Sequence, residues 1–265
     1  MKKAWFAGVI CSLLPVCAMA AQAGASYRYV VGVDVNAQGG VTDVQVPAGV
    51  SAPIGKLLDA TVRQWHFHPA TLNHQAQPSH TYVYLRMDMR KTTDGRGMLL
   101  LRYTANGPRL KPGQSMVPEY PANERRQHRS AFLRLTGEVM PDGRLDHVKI
   151  QNLVAGERVD GDFRAAVMAM AEKARFESVT IGGTPVATTV KIPVYFALRD
   201  ARGGSAIAVD HKQWLFLKKL QAERKAQDDA AVAASSMPLD SGQVASVDGP
   251  LRPDRILPVK VRLTP

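Results

Sequence analysis

Apolar and polar residues alternate in two separate stretches of this chain, and the same series of elements follows in each. In the first, Tyr29, Val31, Val33 and Val35 alternate with other residues, the period of a half-buried strand. Asn36-Ala37-Gln38-Gly39-Gly40 then supplies turn residues, and Val44 and Val46 continue as a return strand, which predicts a hairpin. Ser51 stands where an N-cap is wanted, and Ile54, Leu57, Leu58, Val62 and Trp65 fall on one helical face. Tyr82, Tyr84 and Arg86 alternate with Val83, Leu85 and Met87 in a last strand. Over residues 131–198 the series recurs. Leu133, Leu135, Gly137 and Val139 alternate, Pro141-Asp142-Gly143 is a hairpin turn, and Leu145, Val148 and Ile150 return. Phe163, Val167, Met170 and Ala174 sit at helical spacing, Gly182-Gly183 turns the chain, and Val190, Ile192, Val194 and Phe196 alternate again.

Self-similarity at long range sets the unit of structure. The expectation is an α+β protein with two tandem modules, each a small antiparallel sheet backed by helices, over residues 24–90 (the more degenerate copy) and 115–200. A linker is expected over 91–114. It holds an apolar run, Met98 to Leu101, able to pair as a strand, and a turn-rich stretch from Thr104 to Gly113. Residues 205–235 read as a helix with Trp214, Leu217 and Leu220 on one side and basic residues opposite. Residues 236–265 read as a flexible tail with a late strand from Ile256, Val259, Val261 and Leu263.

The N-terminus changes the picture. Lys2 and Lys3 precede an apolar run, Ala4 to Ala18, and Ala18-Met19-Ala20 has the form of a cleavage site, so residues 1–20 are expected to be a secretory signal. The mature chain would start near Ala21 or Ala23 in the periplasm. An uncleaved inner-membrane anchor is the alternative, since Ala4 to Ala23 is uncharged and about long enough to span a bilayer; Pro15 and the small residues after it favour cleavage. A lipoprotein reading of Cys17 is disfavoured by Val16 before it. Cys11 and Cys17 are the chain's cysteines, so the mature protein would have no disulfide, thiol nucleophile or thiolate metal site. Loss of Lys2 and Lys3 takes the formal charge from +11 to +9. A basic exported protein can meet an anionic envelope surface; nucleic acid is not expected as a partner in that compartment. A homodimer stays open.

Three groups carry candidate chemistry. The first is the final strand of the second module, where Thr189, Lys191, Pro193 and Tyr195 would line a partner-binding edge. A sheet edge offers N–H and C=O groups to an added strand, and proline is tolerated there because it needs no ladder donor. The alternative is an edge covered by the first module's last strand or by residues 256–263. The second group is His66, His68, His74 and His80. Imidazoles suit zinc or copper, but the spacing fits no named metal motif; otherwise Trp65 and Phe67 fill the core while the histidines face water. The third is Arg125, Arg126, His128 and Arg129, a patch for an anionic polymer or a solvated helix face. No G-x-S-x-G, H-E-x-x-H or P-loop occurs, and Asp160, Asp162 and Glu172 form no distinctive acid–base pair. Neither an enzyme nor a cofactor is expected.

Several of these residues carry a resemblance to a family. Tyr120-Pro121, Pro141-Asp142-Gly143-Arg144-Leu145 with Val148 and Ile150, Arg175-Phe176, then Gly183, Pro185 and Val186, and the closing VKIPVYFAL resemble the C-terminal domain of TonB, the energy transducer of Gram-negative envelopes. The first module resembles the same domain through GGVTDVQV and Trp65-His66-Phe67-His68-Pro69-Ala70, without the opening Tyr-Pro. The resemblance implies a three-stranded sheet backed by helices, a periplasmic site, and a domain that grips an extended segment of an outer-membrane transporter by strand addition. Two departures stand against force transduction: the N-terminal apolar segment has no histidine, and no long proline-rich spacer follows it. An adaptor that binds a transporter or another envelope protein is therefore expected first. An anchored TonB-like transducer and a structural envelope protein that binds nothing by strand addition are the alternatives.

Overall fold

The computed structural model describes residues 26–91, 97–197, 210–229, 245–246, 250–256 and 259–262. The export segment expected over residues 1–20, with both cysteines, lies outside them.

β1 (Ser26–Val35) and β2 (Val41–Gln45) pair antiparallel. Their turn closes as its residues require: Gly39 sits at φ 89°, and the Asn36 carboxamide oxygen accepts from the N–H groups of Gln38 and Gly40 at 3.0 and 2.9 Å. α1 (Ala52–Val62) follows, with Ser51 at the N-cap making no side-chain cap and a proline in the first turn, where its missing N–H costs nothing. Leu58 and Val62 are buried, and Ile54 and Leu57 pack against the same core. Next come β3 (His66–His68), a small hairpin of β4 (Ala70–Leu72) and β5 (Gln75–Gln77), and the long β6 (Ser79–Lys91). β6 runs antiparallel to β1 from Ser79 to Asp88.

β7 (Gly97–Gly107) doubles back along the other side of β6, followed by β8 (Arg109–Leu110) and the short α2 (Ala122–Arg126). Much of the stretch expected as a linker is therefore sheet. The apolar run Met98 to Leu101 lies in β7, and the strand continues through Thr104–Gly107, where turn residues pointed to a loop. Burial of Tyr103 and Ala105 against the cores outweighs the local turn preference of Asn106-Gly107.

The second half runs β9 (Ala131–Val139), β10 (Leu145–Asn152), α3 (Gly161–Lys173), β11 (Phe176–Glu177), the hairpin β12 (Thr180–Ile181) and β13 (Thr184–Pro185), and β14 (Thr188–Phe196). β9 pairs antiparallel with β10 on one side and β14 on the other, as β1 does with β2 and β6. α3 is capped by Asp160, whose carboxylate accepts from the Asp162 N–H at 3.0 Å. The likeness of the halves extends to single atoms. Gly39 and Gly143 hold φ of 89° and 85°, and their carbonyls accept from the Phe67 and Phe176 N–H groups at 2.9 and 2.8 Å. A Cβ on either glycine would fall 1.9 or 2.2 Å from that phenylalanine's carbonyl oxygen. Glycine is thus required twice, at corresponding turns, by positive φ and by close approach of backbone.

The chain closes with α4 (His211–Asp229), β15 (Ala245–Ser246), β16 (Arg252–Arg255) and β17 (Val259–Arg262). β16 pairs with β3, β17 with β7, and β15 with β14, so parts of the expected tail are built into the sheets.

Two apolar cores result. One gathers Val31, Val33, Leu58, Phe67 and Val83; the other gathers Leu133, Leu135, Phe163, Val167 and Ile192. Each borrows from the opposite half: Ile181 enters the first core, while Tyr84 and Ala105 enter the second. β12 pairs with the start of β6 through Thr180↔His80 and Ile181↔Ser79, and β8 pairs with β11. At this junction the Arg109 guanidinium donates to Glu177 at 3.0 Å and lies 4.4 Å from the centre of the Tyr82 ring. Burial, with Glu177 adding to it, pushes the Tyr82 hydroxyl up to about 12.

Candidate strand-addition edge

β14 is one of the two outer strands of the three formed by β10, β9 and β14, with β10 on the other side of β9. Its alternation is the expected one. Val190, Ile192, Val194 and Phe196 are buried in the second core, while Lys191 is exposed and Thr189 and Tyr195 are half-buried on the opposite face. Pro193 is buried as well, opposite Arg134 of β9. Two things hold the strand rigid from beneath. Phe196 packs on Phe163 of α3 with ring centroids 4.6 Å apart, and Tyr120, from the Tyr-Pro segment, meets both rings edge-on at 5.5 and 5.9 Å. The Tyr120 hydroxyl donates to the Arg129 carbonyl, tying that segment to the start of β9.

The outer face is roofed in part by α4. Phe132, adjacent to the inward Leu133, points outward yet is buried, with Tyr195 at 5.7 Å on one side and Phe216 of α4 at 5.5 Å on the other. The Gln213 amide donates to the Ser130 carbonyl at 3.1 Å and pins the same helix.

Among the described residues, β15 is the strand that pairs on the outer side of β14, and it meets two of the nine positions, Val190↔Ser246 and Lys191↔Ala245. The expected covers were the first half's last strand or residues 256–263; the pairing comes instead from Ala245–Ser246, while residues 259–262 lie on β7. The corresponding strand of the first half is occupied far more completely. β12 pairs with Ser79 and His80, and β7 pairs from Tyr82 to Lys91. Among the described residues, the two halves thus share a layout but differ in how much of the outer strand is paired.

The histidines are not brought together. His66 and His68 do share a face, with Phe67 buried between them, and both approach the Asp254 carboxylate of β16 at 3.3 and 3.7 Å. His80 meets Asp34 at 2.6 Å and stands edge-on to Tyr82, while His74 occupies the β4–β5 turn at φ 62°. Among the described residues no group of three or more His, Cys, Asp or Glu is arranged to hold a metal ion. In the arginine patch, Arg129 is engaged by Asp160 at 3.1 Å and by the buried Glu124 at 3.2 Å, and burial raises the Glu124 carboxyl above its ordinary value despite that arginine. Arg125 and Arg126 remain on the exposed side of α2. A cleft of about 590 Å³ opens beside this patch, between Arg129, Arg158, Asp160, Asp210 and Gln213; its mixed charges favour no one ligand class.

β15 is what reasoning from sequence missed, and Ala245-Ser246 carries no signal that could have found it. Phe132 could have been noticed, as a large apolar residue set against the inward alternation of β9.

Residues 116–198 match the family model described as Gram-negative bacterial TonB protein C-terminal. The match runs from just before Tyr120-Pro121 to just past β14, so it takes in the whole of the candidate edge. No curated protein matches the chain. Among the described residues, no helix is long and apolar enough to cross a membrane.

Proposed function

We propose that this is a non-catalytic periplasmic protein of the cell envelope that binds an extended segment of an outer-membrane transporter, or of another envelope protein, by strand addition at β14 in a TonB-linked uptake setting. The observation that carries the reading is the outer side of β14: a strand packed from below through Phe163, Phe196 and Tyr120, with two of its nine positions paired by β15 among the described residues. An incoming strand gains main-chain hydrogen bonds there, and Lys191 with its neighbours reads alternate side chains. The family match over 116–198 supports the class of domain and its compartment.

The first half is best understood as a second copy of the module whose edge is used internally. The corresponding hairpins, the Gly39–Phe67 and Gly143–Phe176 contacts and the shared strand order support common design. β7 and β12 on β6 then turn one copy into a scaffold for the other.

In-cell photocrosslinking from position 191 tests the reading. An adduct with an outer-membrane transporter or another envelope protein, absent when the photoreactive group is moved to position 151 on β10, is expected. Adducts confined to the chain's own tail would favour the structural envelope protein instead. Recovery of the crosslinked protein in the inner membrane with its N-terminus retained would favour the anchored transducer.

A further inference from the structure

α4 presents apolar side chains on two faces. Toward the protein, Gln213 is buried, Phe216 packs on Phe132, and Leu217 and Leu220 are half-buried. Away from it, Trp214 and Leu215 are 44% and 48% exposed. At 3.6 residues per turn, His211 and Lys218 share the arc of these two residues, and Lys212 and Lys219 flank it. All four are exposed. The Lys218 ammonium lies 4.4 Å from the centre of the Trp214 ring, and His211 stacks on that ring at 6.1 Å. From His211 to Ala222 the helix has no carboxylate; Glu223 is the first, 4.0 Å from Lys219.

We infer that this outward face of α4 docks on an anionic lipid surface. The chemistry is that of a helix lying in a membrane interface. An indole settles where hydrocarbon meets water because its body is apolar and its N–H polar, and a neighbouring leucine adds insertion. Lysines beside them bury their stems and lift their ammonium groups to lipid phosphates. Lys218 within the arc and Lys212 and Lys219 beside it are complementary to anionic headgroups, and the net charge of the chain has the same sign. Because the inward face of α4 packs on Phe132, itself against Tyr195 of β14, docking would also hold the candidate edge close to the membrane.

The experiment is cosedimentation of the purified protein with vesicles at about 0.1 M salt. Phosphatidylethanolamine vesicles with about 30% phosphatidylglycerol are compared with phosphatidylcholine alone. Wild-type protein is expected to prefer the anionic vesicles. Trp214→Ala with Leu215→Ala, and separately Lys212→Glu with Lys218→Glu and Lys219→Glu, should each weaken that binding about tenfold or more, with far-UV circular dichroism and the urea midpoint unchanged. Using both variants separates this face from any other lipid-binding part of the chain. Equal binding to both vesicle types, or anionic binding that survives W214A/L215A, overturns the inference. So does binding to soluble polyglutamate as tight as to vesicles, which would make the face a site for acidic protein.

Discussion

Replacing Ala245 and Ser246 by proline should open the outer side of β14. Both positions lose their N–H, so β15 can no longer donate to the strand, while β16 on β3 and β17 on β7 are left in place to anchor the rest of the tail. A two-residue antiparallel contact holds about two hydrogen bonds, each with a net worth of about 0.5–1.5 kcal/mol, so β15 stabilises the covered state by about 1–3 kcal/mol. An added strand must displace it, and at about 1.4 kcal/mol per decade its removal should strengthen binding in trans by about fivefold to a hundredfold. The probe is a synthetic peptide of residues 240–250, which contains the pairing residues Ala245 and Ser246. Titrated into ¹⁵N-labelled protein, it should shift the amides of β14 and their β9 neighbours, at several-fold lower concentration for the double-proline variant than for wild type. Shifts at the same concentration in both proteins would show that β15 does not compete. Shifts confined to β2 or β10 would place strand addition at another edge and refute the reasoning.

Three further outcomes follow from the same geometry. Gly143→Ala adds a Cβ 2.2 Å from the Phe176 carbonyl oxygen at φ 85°, and the strained backbone together with the disturbed Phe176–Gly143 bond should cost about 2–4 kcal/mol in urea unfolding. Gly39→Ala is expected to match it, and a loss below about 1 kcal/mol at either site would contradict the shared turn geometry. Asp88 is buried, which alone would raise its carboxyl, but hydrogen bonds from Ser26, Arg86 and Arg102 outweigh burial and hold it below its ordinary value. Its contribution to stability is therefore complete above the unfolded carboxylate pKa of about 3.9 and fades as pH falls through the lower folded value; Asp88→Asn should destabilise the protein at neutral pH and flatten that acid limb in pH-dependent unfolding. Phe163→Ala removes the ring beneath both Phe196 and Tyr120, and should cost about 3–5 kcal/mol by denaturant titration and loosen β14 in amide exchange.

Much of the local structure was legible. Period-two alternation put Val31, Val33 and Val35 inward, and Val190, Ile192 and Val194 likewise, because neighbouring side chains on a strand must face opposite sides. The turn glycines announced both hairpins, because few other residues accept positive φ. The shared face of His66 and His68 followed from the same period, but their partner Asp254 did not, since it arrives on a strand from the far end of the chain.

The apolar run of residues 98–101 was visible, but not its union with Thr104–Gly107 into one strand against β6. That required the burial of Tyr103 and Ala105 in cores built by other segments. Arg102 and Asp88 form a buried pair only because β7 lies beside β6.

By itself, then, the sequence determined local elements: a hairpin, a helix and a further strand in each half, and the alternation that sets Thr189, Lys191 and Tyr195 against the inward Val190, Ile192, Val194 and Phe196. Each of these follows from backbone sterics and side-chain period acting over a few neighbours. Among the described residues, tertiary structure alone decided which strands pair at the edges, β7 and β12 on β6 and β15 at Val190 and Lys191 of β14, and that α4 lies over Phe132. Those pairings join segments far apart in the chain, where closure entropy must be repaid by apolar burial summed over the whole fold, and no local pattern encodes that balance.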